Sequence, residues 1–173
     1  MKKSNYSTKK IGIMAVFISV GMVLQYVESQ IILTPVPGGK LGLCNTVSII
    51  NIFMFGGKNT LVISLLRAFL GTLLTGGVTA LPYSLVGAFL STLGMWLIQR
   101  FFYPKVSMIG MSVAGAALHN FSQVLVASVI FGSVYIFSYL PILLCVSAVS
   151  GTVTGVCAQV FGNRVIKEGD FKL

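Results

Sequence analysis

The chain has 173 residues, 55% of them hydrophobic and only 9% charged, with a net charge of +9 and a mean hydropathy of +0.94. Soluble domains usually carry about 25% charged residues, so a soluble fold is excluded; a membrane span needs about 20 apolar residues, which leaves room for at most about six. The positive charge is no nucleic-acid footprint, because it collects at the ends of the apolar stretches instead of forming a patch.

Lys2, Lys3, Lys9 and Lys10 precede the first apolar run. That order is also found in signal peptides. Here, however, the run is too long for a signal core and no Ala-x-Ala cleavage site follows, so it is expected to stay as the first span. Hydropathy and turn chemistry predict an all-α integral membrane protein, a six-helix bundle with spans at 11–32, 41–56, 59–76, 82–103, 107–132 and 138–163. Basic cytoplasmic tails flank it at 1–10 and 164–173. The breaks fall at Thr34-Pro-Val-Pro-Gly-Gly39, Gly56-Gly57, Gly76-Gly77 ahead of Pro82, Pro104, and Gly132 through Pro141. The second span is short for a full crossing.

Basic residues near span ends stay cytoplasmic. With both termini inside, the inner faces carry Lys2, Lys3, Lys9, Lys10, Lys58, Arg100, Lys105, Arg164, Lys167 and Lys172, and the outer loops carry Lys40 alone. This predicts an N-in, C-in protein of the cell membrane. Small residues recur at helical spacing in Ala15-x-x-x-Ser19, Gly87-x-x-x-Ser91 and Gly151-x-x-x-Gly155. Such pairs serve close packing within a bundle or docking of a partner helix. Cys44, Cys145 and Cys157 are odd in number and lack a Cys-x-x-Cys pair, so they read as buried apolar residues.

The polar residues inside the spans carry the functional signal. A charge at the centre of a span costs roughly 3 kcal/mol on insertion scales unless it faces protein or water. Arg67 and His119 fall near mid-depth with Asn51, whereas Glu28, Asn45 and Gln123 lie nearer the outer surface and Lys40 sits in the first outer loop. Helical phase groups Asn45, Ser48 and Asn51 on one face. It also groups Ser64, Arg67, Gly71 and Thr75, and Ser112, Gly115, Ala116, His119 and Gln123. Three such faces converging would line an outward pocket, mostly apolar with a few placed polar groups. Each residue also has a structural reading. Arg67 is either an ion paired with Glu28 or helix-end carbonyls, or a binder of a ligand anion. His119 is a hydrogen-bonded core residue or a ligand contact, and the amides are glue between helices or pocket walls.

Catalytic chemistry is missing. There is no phosphate-binding loop for ATP. A single His and three acidic residues make a metal site improbable, and Asp170 is the one aspartate. No cofactor is expected.

Three stretches carry a resemblance: Pro37-Gly-Gly-Lys-Leu-Gly-Leu-Cys-Asn45, Leu65-Leu-Arg-Ala-Phe-Leu-Gly71 and Ala114-Gly-Ala-Ala-Leu-His-Asn-Phe-Ser-Gln123. Over roughly 11–163 the sequence resembles the Gx transporter family, also labelled heptaprenyl diphosphate synthase component I. That family in turn resembles the substrate-binding S components of energy-coupling factor transporters, six-helix proteins that capture a vitamin or similar micronutrient from outside. The resemblance implies a loop at Pro37 to Lys40 that closes the site, pocket residues Asn45, Arg67, His119, Asn120 and Gln123, and partners in a transmembrane coupling subunit and two cytoplasmic ATPases. The docking motif on the first helix of that family is Ala-x-x-x-Ala, and this chain has Ala15-x-x-x-Ser19. Prenyl diphosphate synthases hold Mg-diphosphate with aspartate-rich motifs, which this chain lacks. Under that label it is a non-catalytic membrane partner, or a neighbour in isoprenoid, quinone or flavin metabolism.

The reading that follows is a non-enzymatic substrate-capture subunit for a small anionic or aromatic compound, with Glu28, Lys40, Asn45, Asn51, Arg67, His119, Asn120 and Gln123 as the candidate site. The alternative is a non-catalytic component associated with heptaprenyl diphosphate synthase or redox metabolism. A small autonomous channel or carrier remains as a third.

Overall fold

The structure is a computed structural model that describes residues 3–30, 42–75 and 77–168. Five α-helices account for almost all of it: α1 (Lys3–Gln30), α2 (Leu43–Thr75), α3 (Leu81–Phe102), α4 (Met108–Phe131) and α5 (Leu140–Glu168). Short 3₁₀ turns at Val78–Ala80 and Val134–Tyr139 lead into α3 and α5. All five helices are long and apolar enough to cross a membrane, and large apolar side chains such as Val16, Leu74, Val129, Val149 and Phe161 face outward. A helix satisfies its own backbone hydrogen bonds, which hydrocarbon cannot do for it. The chain is a multi-pass membrane protein.

Local chemistry sets the ends. Pro82 occupies the first turn of α3, where its missing N–H costs nothing. The Ser107 hydroxyl caps α4 by accepting from Gly110 N–H at 3.2 Å. Gly132 closes the same helix in the left-handed conformation, φ 61°.

Five helices stand where six spans are predicted, and the difference lies in α2. Its Gly56 has φ 76° and ψ 166°, far from helical values. Ser48 Oγ and Ser64 Oγ, 16 residues apart, approach to 3.3 Å, although a straight helix would separate them by about 24 Å. So α2 folds back on itself at Gly56. The predicted spans 41–56 and 59–76 fall on its two arms, 43–55 and 57–75. The first arm rises only about 20 Å, less than the roughly 30 Å of a hydrocarbon core.

Helix α2 is the hub. It packs against α1, α3, α4 and α5, with α3 also on α4 and α4 on α5, while α1 packs against α2 alone among the described helices. Ile49 and Ile52 of the first arm meet Met95, Met108 and Ala158. On the other side Ile50, Met54, Phe55 and Ile63 pack against Ile13, Met14, Phe17 and Ile18 of α1. The Gly151-x-x-x-Gly155 pair lies on the α4 backbone. A methyl added at Gly151 would sit 2.6 Å from Val113 Cα, and one at Gly155 2.6 Å from Ile109 Cα. This motif therefore packs within the bundle. Ala15 and Ser19, by contrast, face outward from α1.

Lys9, Lys10, Lys58, Arg100, Lys105 and Arg164 gather at one end. Lys58 is exposed beside the α2 turn. Phe53 and Tyr103 rings meet edge to face at 5.0 Å, which brings Arg100 and Lys105 to the same end. Phe17 against Phe55 places the Lys9–Lys10 start of α1 there, and Ala158 in the lower core places Arg164 there.

The α2 turn yields a test. A Cβ at Gly56 would meet nothing within 4 Å, so Gly56→Ala should cost only its backbone conformation, φ 76° and ψ 166°, a region open essentially to glycine, at about 1–3 kcal/mol. At Gly57 a Cβ would fall 2.1 Å from the Trp96 ring, so Gly57→Ala should be the more destabilising of the two. Adding Trp96→Leu to Gly57→Ala should recover part of that loss, as read from unfolding in detergent.

Candidate functional site

At the end of the bundle opposite the basic residues, four helices bring polar side chains together. Gln25 and Glu28 come from one face of α1, and Cys44 and Asn45 from the first turn of α2 just after Gly42. Arg67 lies on the second α2 arm, Ser84 in the first turn of α3 and His119 halfway along α4. These residues line a cavity of about 10 Å³, room for about one water. The site is nearly filled by its own side chains.

Two glycines make that filling geometry available. The Arg67 stem lies across Gly21 of α1, where an added Cβ would be 2.2 Å from its Cδ. The His119 ring lies on Gly87 of α3, where an added Cβ would be 2.7 Å from its Cε1. In both cases a bulky polar side chain reaches the bundle centre because the facing helix offers only backbone.

The hydrogen bonds then fix the charges. Arg67 is 6% exposed, and its Nη1 donates to Gln25 Oε1 at 3.3 Å. Gln25 Nε2 in turn donates to Thr72 Oγ1 at 3.0 Å. The Glu28 carboxylate accepts the Gly42 N–H at the start of α2, where the helix dipole also favours a negative group. His119 Nε2 lies 3.2 Å from Gln123 Nε2, so the ring nitrogen accepts when the amide donates. The Asn45 Nδ2 group is buried with no hydrogen-bond partner. Below the cavity, Ser64 Oγ contacts Ser48 Oγ at 3.3 Å and accepts from Thr92 Oγ1 at 3.0 Å, which closes the polar interior with neutral hydroxyls.

Of the residues singled out in the sequence, Glu28, Asn45, Arg67 and His119 line this cavity. Gln123 joins it through His119. Asn120 turns the other way, donating to Ser147 Oγ at 2.8 Å and Leu143 O at 3.4 Å, so it ties α4 to α5. Asn51 is fully buried one turn beyond Ser48, away from the cavity, with both amide atoms unpartnered. Lys40 and the loop from Thr34 to Gly39 lie outside the described residues. Sequence reasoning did not single out Gln25, Cys44 or Ser84. Gln25 was within reach, since Gly21, Gln25 and Glu28 share a helical face at i, i+4 and i+7.

Among the described residues no group of three or more His, Cys, Asp and Glu side chains is placed to hold a metal ion. The cavity offers a guanidinium, a carboxylate, an imidazole, an amide and a hydroxyl around a site of water size.

The sequence matches the family described as heptaprenyl diphosphate synthase component I over residues 17–161, and the chain belongs to that family. No curated protein and no solved structure matches it.

The glycine seats can be tested against an internal control. Gly12 has nothing within 4 Å of an added Cβ, so Gly12→Ala should leave the unfolding midpoint unchanged or raise it. Gly21→Ala and Gly87→Ala should lower it, because Arg67 and His119 must move. Asn120→Ala should cost about 0.6–1.7 kcal/mol, the range measured for hydrogen bonds between membrane helices.

Proposed function

We propose that this chain is the substrate-capture membrane subunit of an ATP-driven importer, similar to an S component of the energy-coupling factor type. The cavity at the end remote from the basic residues carries the proposal. Basic residues favour the cytoplasmic side, so Lys9, Lys10, Lys58, Arg100, Lys105 and Arg164 set their end inside and the cavity opens toward the exterior. The two arms of α2 count as two passes, which gives six spans with both termini inside. Arg67 supports a binding role over a purely structural one. Among the described residues its partner is an uncharged amide, on a helix that packs against α2 alone, and a guanidinium held in that way within a membrane is costly.

In this reading α1 is the moving part. It carries Gln25 and Glu28, and its swing away from α2 would enlarge a cavity that otherwise holds about one water. Lys40 and the loop around it would complete the site from outside. The outward face bearing Ala15 and Ser19 would dock a transmembrane coupling subunit, with cytoplasmic ATPases supplying the energy that the chain cannot generate itself. Asn120 would hold α4 and α5 in register beside the pocket.

The family description favours a second reading, a non-catalytic membrane component that accompanies a prenyl diphosphate synthase. Only three acidic residues are present, too few for the carboxylate clusters that hold Mg-diphosphate, so the synthase chemistry would reside in the partner.

Purification of a tagged copy from native membranes in mild detergent separates the two. The importer reading expects a transmembrane coupling subunit with two ATPases by mass spectrometry. Recovery of a soluble, aspartate-rich prenyl synthase without ATPases would replace it with the second.

A further inference from the structure

The hydrogen-bonding groups left over in the cavity define the ligand more narrowly than its size does. Among the described residues, Arg67 uses one nitrogen on Gln25, and its Nε and Nη2 hydrogen-bond none of them. Asn45 Nδ2 is buried and unpartnered, on a residue only 3% exposed. The Ser84 hydroxyl, on an equally buried residue, bonds no described residue and lines the same cavity. Three uncommitted donors, one of them cationic, face one small space. Their complement is an acceptor carrying negative charge.

We infer that the cavity binds the carboxylate of a monoanionic ligand, which takes the place of Gln25 Oε1 on Arg67 and also accepts from Asn45 and Ser84. The inference rests on the capture reading of this cavity. Gln25 already presents an sp² oxygen to the guanidinium, so a carboxylate substitutes like for like. It also gains the strength of a charge-assisted bond, and its two oxygens suit the planar fork of arginine. The charge count selects carboxylate over phosphate. Among the described residues that line the cavity, Arg67 and Glu28 carry the fixed charges and together are neutral. A carboxylate leaves one net negative charge, whereas a phosphate dianion or a diphosphate leaves two or more in a low-dielectric interior beside Glu28. Glu28 is itself an anion, so it adds repulsion to every further negative charge placed beside it. The diphosphate headgroup of a prenyl chain is therefore disfavoured at this site.

The test uses the purified full chain in lipid nanodiscs, without partners, with its thermal unfolding followed in sodium benzoate, acetate, phosphate, pyrophosphate or chloride at equal ionic strength. Benzoate and acetate should raise the midpoint saturably, and phosphate and pyrophosphate should behave as chloride does. Gln25→Leu, which removes the internal competitor, should strengthen the carboxylate response. Arg67→Met should weaken it roughly tenfold or more, and Arg67→Lys should also weaken it by losing the bidentate geometry. If Arg67→Met does not fold, Asn45→Ala and Ser84→Ala serve instead, each weakening the response by roughly threefold or more. The inference is overturned by equal or greater stabilisation from pyrophosphate, by a benzoate shift that survives Arg67→Met, or by no carboxylate shift in the unaltered chain. Because no partner is present, failure here leaves the coupling-subunit result standing, and failure of that result leaves carboxylate binding standing.

Discussion

A guanidinium buried halfway through an apolar bundle constrains everything around it. Arg67 cannot shed its charge, and hydrocarbon offers it nothing, so the protein must bring polar groups to it. Gln25 does so from α1 and is itself held by Thr72. The stem needs a path as well, and Gly21 supplies it by presenting bare backbone. The half of the α1–α2 contact nearer the cavity is thus arranged around one side chain, whereas the half nearer the α2 turn is ordinary apolar packing of Phe17, Ile18, Phe55 and Ile63.

The folded-back α2 makes this arrangement possible. Its first arm carries Asn45 and Ser48, its second Ser64, Arg67 and Thr72, and the reversal at Gly56 sets the two polar faces against each other. The hydroxyls of Ser48, Ser64 and Thr92 satisfy one another beneath the cavity. Such contacts are individually modest in membranes, about 0.6 kcal/mol on average, so their value lies in fixing register. The cost of a misplaced polar group in lipid is far larger. Asn51 shows the other side of that rule: it is wholly buried with an unpartnered amide, and nothing in the structure explains why an asparagine stands there.

The contrast between α1 and the other helices bears on function. Helices α4 and α5 are locked together by glycines at backbone contact and by hydroxyl pairs such as Ser112 with Thr154 at 2.8 Å, and α3 packs on α4 through Gly87 and Gly94. Among the described helices, α1 packs against α2 alone, and it contributes two of the polar groups that close the cavity. On the capture reading proposed above, this polar-faced helix is the one whose movement would open the cavity.

The membrane class, the apolar segments, the reversal at Gly56-Gly57 and the concentration of basic charge were legible in the sequence. Each follows from local composition: a run of apolar residues, a glycine pair, lysines at segment ends. Arg67, His119, Glu28 and Asn45 stood out for the same reason, as isolated polar residues where lipid penalises them. Tertiary structure alone decided which of the polar residues share a space. Asn120 and His119 are neighbours in sequence, yet a step of about 100° around the helix sends one to α5 and the other to the cavity. It also decided that Gln25, and not Glu28, receives the Arg67 hydrogen bond, and that Gly21 and Gly87 are seats for side chains. Those outcomes depend on the rotation and approach of whole helices, which are set by packing summed over many residues and leave no mark at any single one.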